Sequence, residues 1–490
     1  MKASTHTLKG SAMISLPFEG RPQDDILESM QVFRENDADH KSGRTWSLVY
    51  HLNQEHDAFI KKAHHLYFSE NALNPMVFKS LKRFEHEVVQ MAAGILNGDE
   101  QVVGTMTSGG TESCLLPVLC YRERARAKRR WGRFAPEMIV PETIHVAWDK
   151  AARYFNIKMI KIPLKDDFTV DVDALKKKIN GNTILIAASA PSYPHGVIDS
   201  IEDIGRIAFE RKIPFHVDSC LGGFFLPFME KVGYRVPKFD FRCKGVTSIS
   251  ADVHKYGFGA KGASVLLYKS MDYLKHQFFI HPDWPGGVFA SPALLGTRPG
   301  GPIAAAWAAM NSLGMNGYCE MAKGVMETTR KLTTGINAVD GLEILGKPVM
   351  SVFAYGSTDK RINIFAVGDI MEDKGWHVDR LQRPEGLHAM VTPAHEAVAD
   401  QYLLDLREAV GRVKADPGLS SRGNAALYGM IAQVPFRGLI KKEVGKMMEK
   451  MYGPKGEMPM GQNGKESFAL RMGACALNFL SRWTSGLRRR

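Results

Sequence analysis

The sequence predicts an α/β fold, with one large, mostly parallel sheet covered by helices and a smaller α+β domain after it. Three observations predict it. From residue 137 to residue 217, short apolar runs alternate with helix-period runs, the pattern of right-handed β-α-β crossovers. Ahead of them, a run from Val102 enters a glycine-rich turn that opens onto a helix. From about Leu345 the texture changes to short strands and separate helices.

In chain order, residues 1–45 are polar and read as an arm that packs on something else, such as a second subunit. Ser47–Leu52 is a short apolar run holding Tyr50, Ala58–Ser69 a helix and Asn71–Pro75 a turn. Phe78–Leu96 carries apolar residues near a 3.6 period and reads as an amphipathic helix. A strand then runs into Ser108–Ser113 (SGGTES), with a helix from about Glu112. Strands follow at Glu137–Val140, Met159–Pro163, Thr183–Ala188 and Pro214–Val217. Helices alternate with them at Ala147–Phe155, Val172–Ile179 and Ile201–Arg211. Gly317–Ala338 reads as a helix linking two domains. Beyond it, Val349–Tyr355, Ile362–Val367 and Leu387–Val391 read as strands, and Asp369–Lys374 and Ala397–Ala415 as helices. From Gly453 no period is clear until Phe468–Leu480. The expected division is an arm with helices over 1–98, a large domain over 99–340 and a small domain over 341–490.

At 490 residues, with 44% hydrophobic and 24% charged, the chain can bury a core large enough to support a polar site. Its six cysteines form no CxxC pair, which argues against zinc and disulfides and suits a reducing compartment. The first 30 residues lack a signal-peptide pattern. No run approaches the roughly 18–20 apolar residues of a membrane span, and Ile303–Met310 is far too short. A soluble, cytoplasmic protein is therefore expected. The net charge of +12 serves solubility, or draws anionic substrates or an anionic surface. The basic run Arg122–Arg133 reads as a solvated helix face and a turn, and Arg488–Arg490 as a frayed tail. Neither carries aromatics at the spacing of a nucleic-acid site.

The stretch Ser248–Tyr268 (SISADVHKYGFGAKGASVLLY) places Lys255 between a histidine and a glycine-rich turn, flanked by two strands. A lysine on the floor of a cleft can lose its proton through desolvation and form an imine with an aldehyde cofactor. The Ser108–Ser113 turn lets backbone amides approach a phosphate at a helix start, although a tight strand-to-helix turn explains it equally. Asp218 ends an apolar strand, so it is either a cap or salt-bridge partner, or a carboxylate set against a pyridine nitrogen. His145 is either structural or stacked on a heteroaromatic ring. Lys261 is either a surface turn lysine or a second cation in the cleft. Phosphate turn, histidine, aspartate and lysine, in that order and each after a strand or its loop, form the layout of a pyridoxal-phosphate enzyme.

Thr107–Ser113 (TSGGTES), Pro194–Ile198 (PHGVI), His216–Phe225 (HVDSCLGGFF), Phe228–Tyr234 (FMEKVGY), Phe239–Lys255 (FDFRCKGVTSISADVHK), Asp283-Trp284 and Gly296–Gly301 (GTRPGG) resemble sphingosine-1-phosphate lyases. The resemblance runs from about Tyr50 to at least Tyr428. It implies the fold type I architecture of pyridoxal-phosphate enzymes, with a seven-stranded large sheet, and a homodimer with shared active sites. Eukaryotic members carry a membrane anchor before the catalytic part, so this chain resembles the soluble, bacterial type. Carried over by position, Lys255 matches the Schiff-base lysine, Asp218 the partner of the ring nitrogen and His145 the stacking histidine. Gly110, Thr111 and His254 match residues that hold the cofactor phosphate, and Thr297 one that reaches it from the neighbouring subunit. Tyr50 and Lys261 match residues near the substrate phosphate and the reacting centre. Asn74 stands where the family often has a histidine, and Phe289 where some members have a tyrosine.

The implied reaction is retro-aldol cleavage of a phosphorylated long-chain base to a long-chain aldehyde and phosphoethanolamine. Tyr50 is then the first choice for proton transfer near C3, with a water or the substrate phosphate as its rival and His195 a weaker candidate. Lys261 and Asn74 are expected to grip the substrate phosphate. An amino-acid decarboxylase on the same scaffold is the alternative. A catalytically inactive binding protein, hinted at by Asn74 and Phe289, is a third reading.

Overall fold

The computed structural model describes residues 15–456 except 36, 129–134, 424, 427, 430–436 and 455. The end of the basic run, the segment Phe468–Leu480 and the tail Arg488–Arg490 therefore lie outside the described residues. The large sheet has seven strands: β1 Val103–Thr107, β2 Glu137–Pro141, β3 Lys158–Ile162, β4 Thr183–Ser189, β5 Phe215–Asp218, β6 Val246–Ala251 and β7 Ser264–Tyr268. Their order is β1-β7-β6-β5-β4-β2-β3. β7 runs antiparallel to both β1 and β6, and every other pair is parallel.

Strands covered on both faces have no polar side to show, which is why β2, β5, β6 and β7 are buried along their whole length. The edge strand β3 differs. Its Lys158 and Lys161 reach outward and pair with Glu137 and Asp149, which keeps a second chain from adding to the edge.

The helices before the sheet are α1 (Gln23–Arg34), α2 (Gln54–Leu66) and α3 (Lys79–Ile95). Covering the sheet are α4 (Gly110–Lys128), α5 (Ala147–Phe155), α6 (Val172–Lys178), α7 (Ile201–Glu210), α8 (Leu226–Lys231) and the single turn α9 (Met271–Leu274). Their limits follow local chemistry. The Asp171 side chain accepts from Ala174 N at 2.9 Å to cap α6. Asn156 closes α5 in the left-handed region at φ 53°.

A hairpin, β8 (Phe279–His281) with β9 (Phe289–Ser291), precedes the long helix α10 (Gly300–Asn337). The helix expected from Gly317 thus begins 17 residues earlier, and it is broken at Gly314 (φ 56°, ψ −171°). The second sheet, β10 (Leu342–Ile344), β11 (Val352–Ser357), β12 (Asp379–Gln382) and β13 (Glu385–Met390), is antiparallel in the order β10-β11-β13-β12. Helices α11 (Ile364–Asp373) and α12 (Ala399–Ala415) pack against each other beside it.

One expected strand is wrong. Ile362–Val367 opens α11 instead, because Asn363 caps Phe365 N and Ala366 N from its side chain. Residues 364–368 are all buried, so the helix lacks the polar face that distinguishes a helix from a strand. The expected arm also divides. Trp46 is fully buried against Trp376 and Tyr402, with ring centroids 6.4 Å and 4.3 Å away, and its backbone N–H donates to His377 O. Helix α1, by contrast, buries no residue of its own. No described helix is long and apolar enough to cross a membrane.

Candidate active site

A cavity of about 350 Å³ opens beyond the carboxyl ends of the parallel strands. After β1, the turn and start of α4 contribute Ser108 to Glu112 and Cys114; the segment after β2 contributes His145. The end of β4 and the segment after it add Ser189, Pro191 and Tyr193. The end of β5 and its turn add Asp218, Cys220 and Leu221, and the stretch after β6 adds Asp252, His254 and Lys255. Six expected residues, Gly110, Thr111, His145, Asp218, His254 and Lys255, thus meet in one cavity.

The turn after β1 is built for close approach. Gly109 has φ 146°, and a Cβ there would lie 3.2 Å from the His254 ring. The Glu112 carboxylate accepts from Ser108 N at 2.7 Å and closes the turn, leaving the first amides of α4 directed at the cavity end of the helix. This helix begins at Gly110, two residues before the expected start near Glu112.

Asp218 is buried, yet its carboxyl is held down at about 2. Burial works to raise it. Hydrogen bonds from Trp148 Nε1 at 3.0 Å and Cys220 N at 3.2 Å, with His145 and His216 nearby, outweigh that penalty. Trp148 reaches it because α5 starts directly after His145. The result is a fixed anion on the cavity floor. His145 faces the cavity with its Nδ1 accepting from Ala147 N at 3.2 Å. Tyr193 meets it edge-on at 6.2 Å.

Lys255 departs from the expectation that desolvation strips its proton. Burial does pull its basicity down, but the Asp252 carboxylate, 2.9 Å from Nζ, more than reverses this and favours the ammonium. His254 is held below the usual imidazole range by burial, with its Nδ1 accepting from Ala263 N.

Tyr50 and Lys261 stand beside the cavity lining. The Tyr50 ring lies 5.0 Å from Tyr256, and its hydroxyl makes only a 3.3 Å contact to Met390 Sδ. Burial pushes that hydroxyl well above the ordinary tyrosine range. Lys261 is exposed, donates to Leu48 O at 2.8 Å and sits 5.2 Å over the Tyr50 ring. Although the residue as a whole is exposed, partial desolvation by the chain around it and the charge of Lys255 lower its basicity.

Asn74 and Thr297 do not line this cavity; both are exposed, and Asn74 Oδ1 accepts from Met76 N within its own turn. Phe289 lies in the hairpin, 6.2 Å from Phe279. His195 is a correction. It is buried, stacked on Phe168 at 4.1 Å, does not line the cavity and is held at about 4 by burial. Sequence reasoning missed Tyr193, two residues from His195, whose hydroxyl donates to Asp379 at 2.9 Å. It also missed Asp252, whose place three residues before Lys255 is the only signal the sequence offers.

These groups suit pyridoxal phosphate: an amine to join an aldehyde, a saturated anion for a pyridinium, and free amides at a helix start for a phosphate. A family model, the pyridoxal-dependent decarboxylase conserved domain, matches residues 74–356, and the chain belongs to that family of pyridoxal-phosphate enzymes. The sphingosine-1-phosphate lyase of Oryza sativa subsp. japonica is 45% identical over 449 residues, covering 90% of this chain and 82% of that one. The structure of a Burkholderia pseudomallei sphingosine-1-phosphate lyase superposes with a TM-score of 0.79 at 40% identity, covering 83% of this chain and 94% of that one. A Lactobacillus brevis glutamate decarboxylase shares the fold, with a TM-score of 0.72 at 21% identity over 83% of this chain and 96% of its own. Within the wider family, the chain belongs to the sphingosine-1-phosphate lyases.

Proposed function

We propose that this protein cleaves phosphorylated long-chain bases between C2 and C3, giving a long-chain aldehyde and phosphoethanolamine. The observation that supports this best is the meeting of Lys255, Asp218, His145 and the glycine turn in one cavity, on a chain 45% identical to a plant lyase. Pyridoxal phosphate, when bound, supplies the electron sink for the broken bond. Lys255 would hold the cofactor through its amine on the cavity floor. Asp218 would face the ring nitrogen as a carboxylate, because hydrogen bonds from Trp148 and Cys220 hold its carboxyl low. His145 would cover a ring face, and Gly110, Thr111 and His254 would hold the phosphate.

Burial favours the protonated Tyr50 hydroxyl, and its only hydrogen-bond partner among the described residues is a weak sulfur contact. It is free to exchange that contact for a hydrogen bond to the C3 oxygen. Lys261, at the rim, is placed for the substrate phosphate.

Asn74 and Thr297 serve the partner's cavity in a homodimer. Support for a second copy comes from apolar surface without cover. Met30 and Phe33 of α1 are 60% and 79% exposed, and Phe279 and Ile280 of the hairpin 59% and 63%. The purified protein should convert a phosphorylated sphingoid base to equal amounts of phosphoethanolamine and long-chain aldehyde. Release of carbon dioxide from an amino acid, without cleavage of that base, would favour the decarboxylase instead.

A further inference from the structure

We infer that Asp252 is the positioning residue for Lys255: it holds the lysine ammonium on the cavity floor whenever the lysine is not joined to the cofactor. The inference rests on the reading of Lys255 as the residue that joins it.

Asp252 directly follows β6, and its side chain is 1% exposed. A carboxylate buried so deeply requires compensation. Neither of its oxygens meets a neutral hydrogen-bond donor among the described residues. Its compensation is local and comes from one cation: Lys255 Nζ stands 2.9 Å away, while His254 Nε2, 3.6 Å away, belongs to an imidazole that burial holds below its usual range. The start of α4 adds its positive end. Gly110 there is bare, and a Cβ would come within 2.5 Å of Asp252 Oδ2. Any larger residue would drive the carboxylate and the helix apart.

The two buried aspartates of the cavity therefore differ in kind. Asp218 accepts from three fixed neutral donors, Trp148 Nε1, Cys220 N and Ser250 Oγ, and faces inward as an anion already held in place. Asp252 is unfinished without a cation, and the nearest one is the lysine that must leave and return in every turnover. The remaining titratable groups facing Lys255 are Tyr50 on the arm, Cys220 after β5, Tyr193 after β4, and His254, Tyr256 and Lys261 on its own stretch. Tyr50 and Cys220 are pushed upward, so neither offers a competing anion at neutral pH.

The test follows amine labelling of single lysines by peptide mass spectrometry, as a function of pH, in the full-length enzyme stripped of cofactor with hydroxylamine. At a pH where exposed lysines react freely, Lys255 of the wild type should react about tenfold more slowly than Lys255 of Asp252→Asn. Superimposable profiles would overturn the inference. Should Asp252→Asn fail to fold by circular dichroism, the wild type decides alone. Its Lys255 must titrate above Lys261, and the reverse order overturns the inference. Borohydride reduction of wild-type holoenzyme tests the underlying reading separately, since a label absent from Lys255 would remove the premise and leave the labelling order intact.

Discussion

The two cavity aspartates set the residue-scale expectations. For Asp218, the folded value of about 2 lies below the ordinary value near 3.9. Its contribution to stability is therefore complete above about pH 4 and is lost as pH falls through about 2. Trp148→Phe removes one hydrogen bond to this charged group, worth roughly 1.5–3 kcal/mol, or about one to two pH units. The acid limb of kcat/KM should move upward by that amount, and an unmoved limb would mean that Trp148 does not hold the anion. Tyr50→Phe should cost about a hundredfold in kcat while leaving the visible cofactor band in place. A loss confined to KM would reassign Tyr50 to substrate binding. Most of this site was legible in the sequence because each group directly follows a strand-like run. The Lys255–Asp252 pair was not, because a carboxylate three residues upstream reads equally as a turn cap.

At the scale of elements, legibility followed contrast between buried and exposed faces. The strands β2 to β5 and the helices between them were readable because crossover helices keep a polar face. Helix α11 was not, because it is covered all round and its opening run resembles a strand. The first part of α10 was hidden for a similar reason. Its run Ile303–Met310 is largely buried, and glycines and alanines supply little periodicity. Gly314 marks a real break in that helix. No neighbour lies within 4 Å of a Cβ placed there, so space does not restrict the position. Its backbone values restrict it to glycine. Gly314→Ala should therefore destabilise the fold by about 1–3 kcal/mol in urea unfolding. An unchanged midpoint would show that α10 straightens without cost.

For the whole molecule, the sequence indicated a partner but not its seat. The apolar residues of α1 and of the β8–β9 hairpin have no cover among the described residues, and Asn74 and Thr297 lie outside their own cavity. Sedimentation should give twice the chain mass. Ile280→Asp with Phe33→Asp should shift the protein toward monomer and lower its activity. Shared sites also predict complementation. Lys255→Ala and Thr297→Asp proteins, each impaired alone, should recover activity when refolded together, because one of the two mixed sites then carries both native residues. No recovery in a proven mixed dimer would place Thr297 outside the partner's site.

The expectations about catalysis depend on covalent attachment of the cofactor at Lys255. The direct measurement is borohydride reduction of the purified holoenzyme, followed by proteolysis and mass mapping of the pyridoxyl group. The account predicts the label on the peptide containing Lys255 and its loss in Lys255→Ala. A label on another lysine, or a cleavage-competent enzyme with Lys255 unmodified, would contradict it.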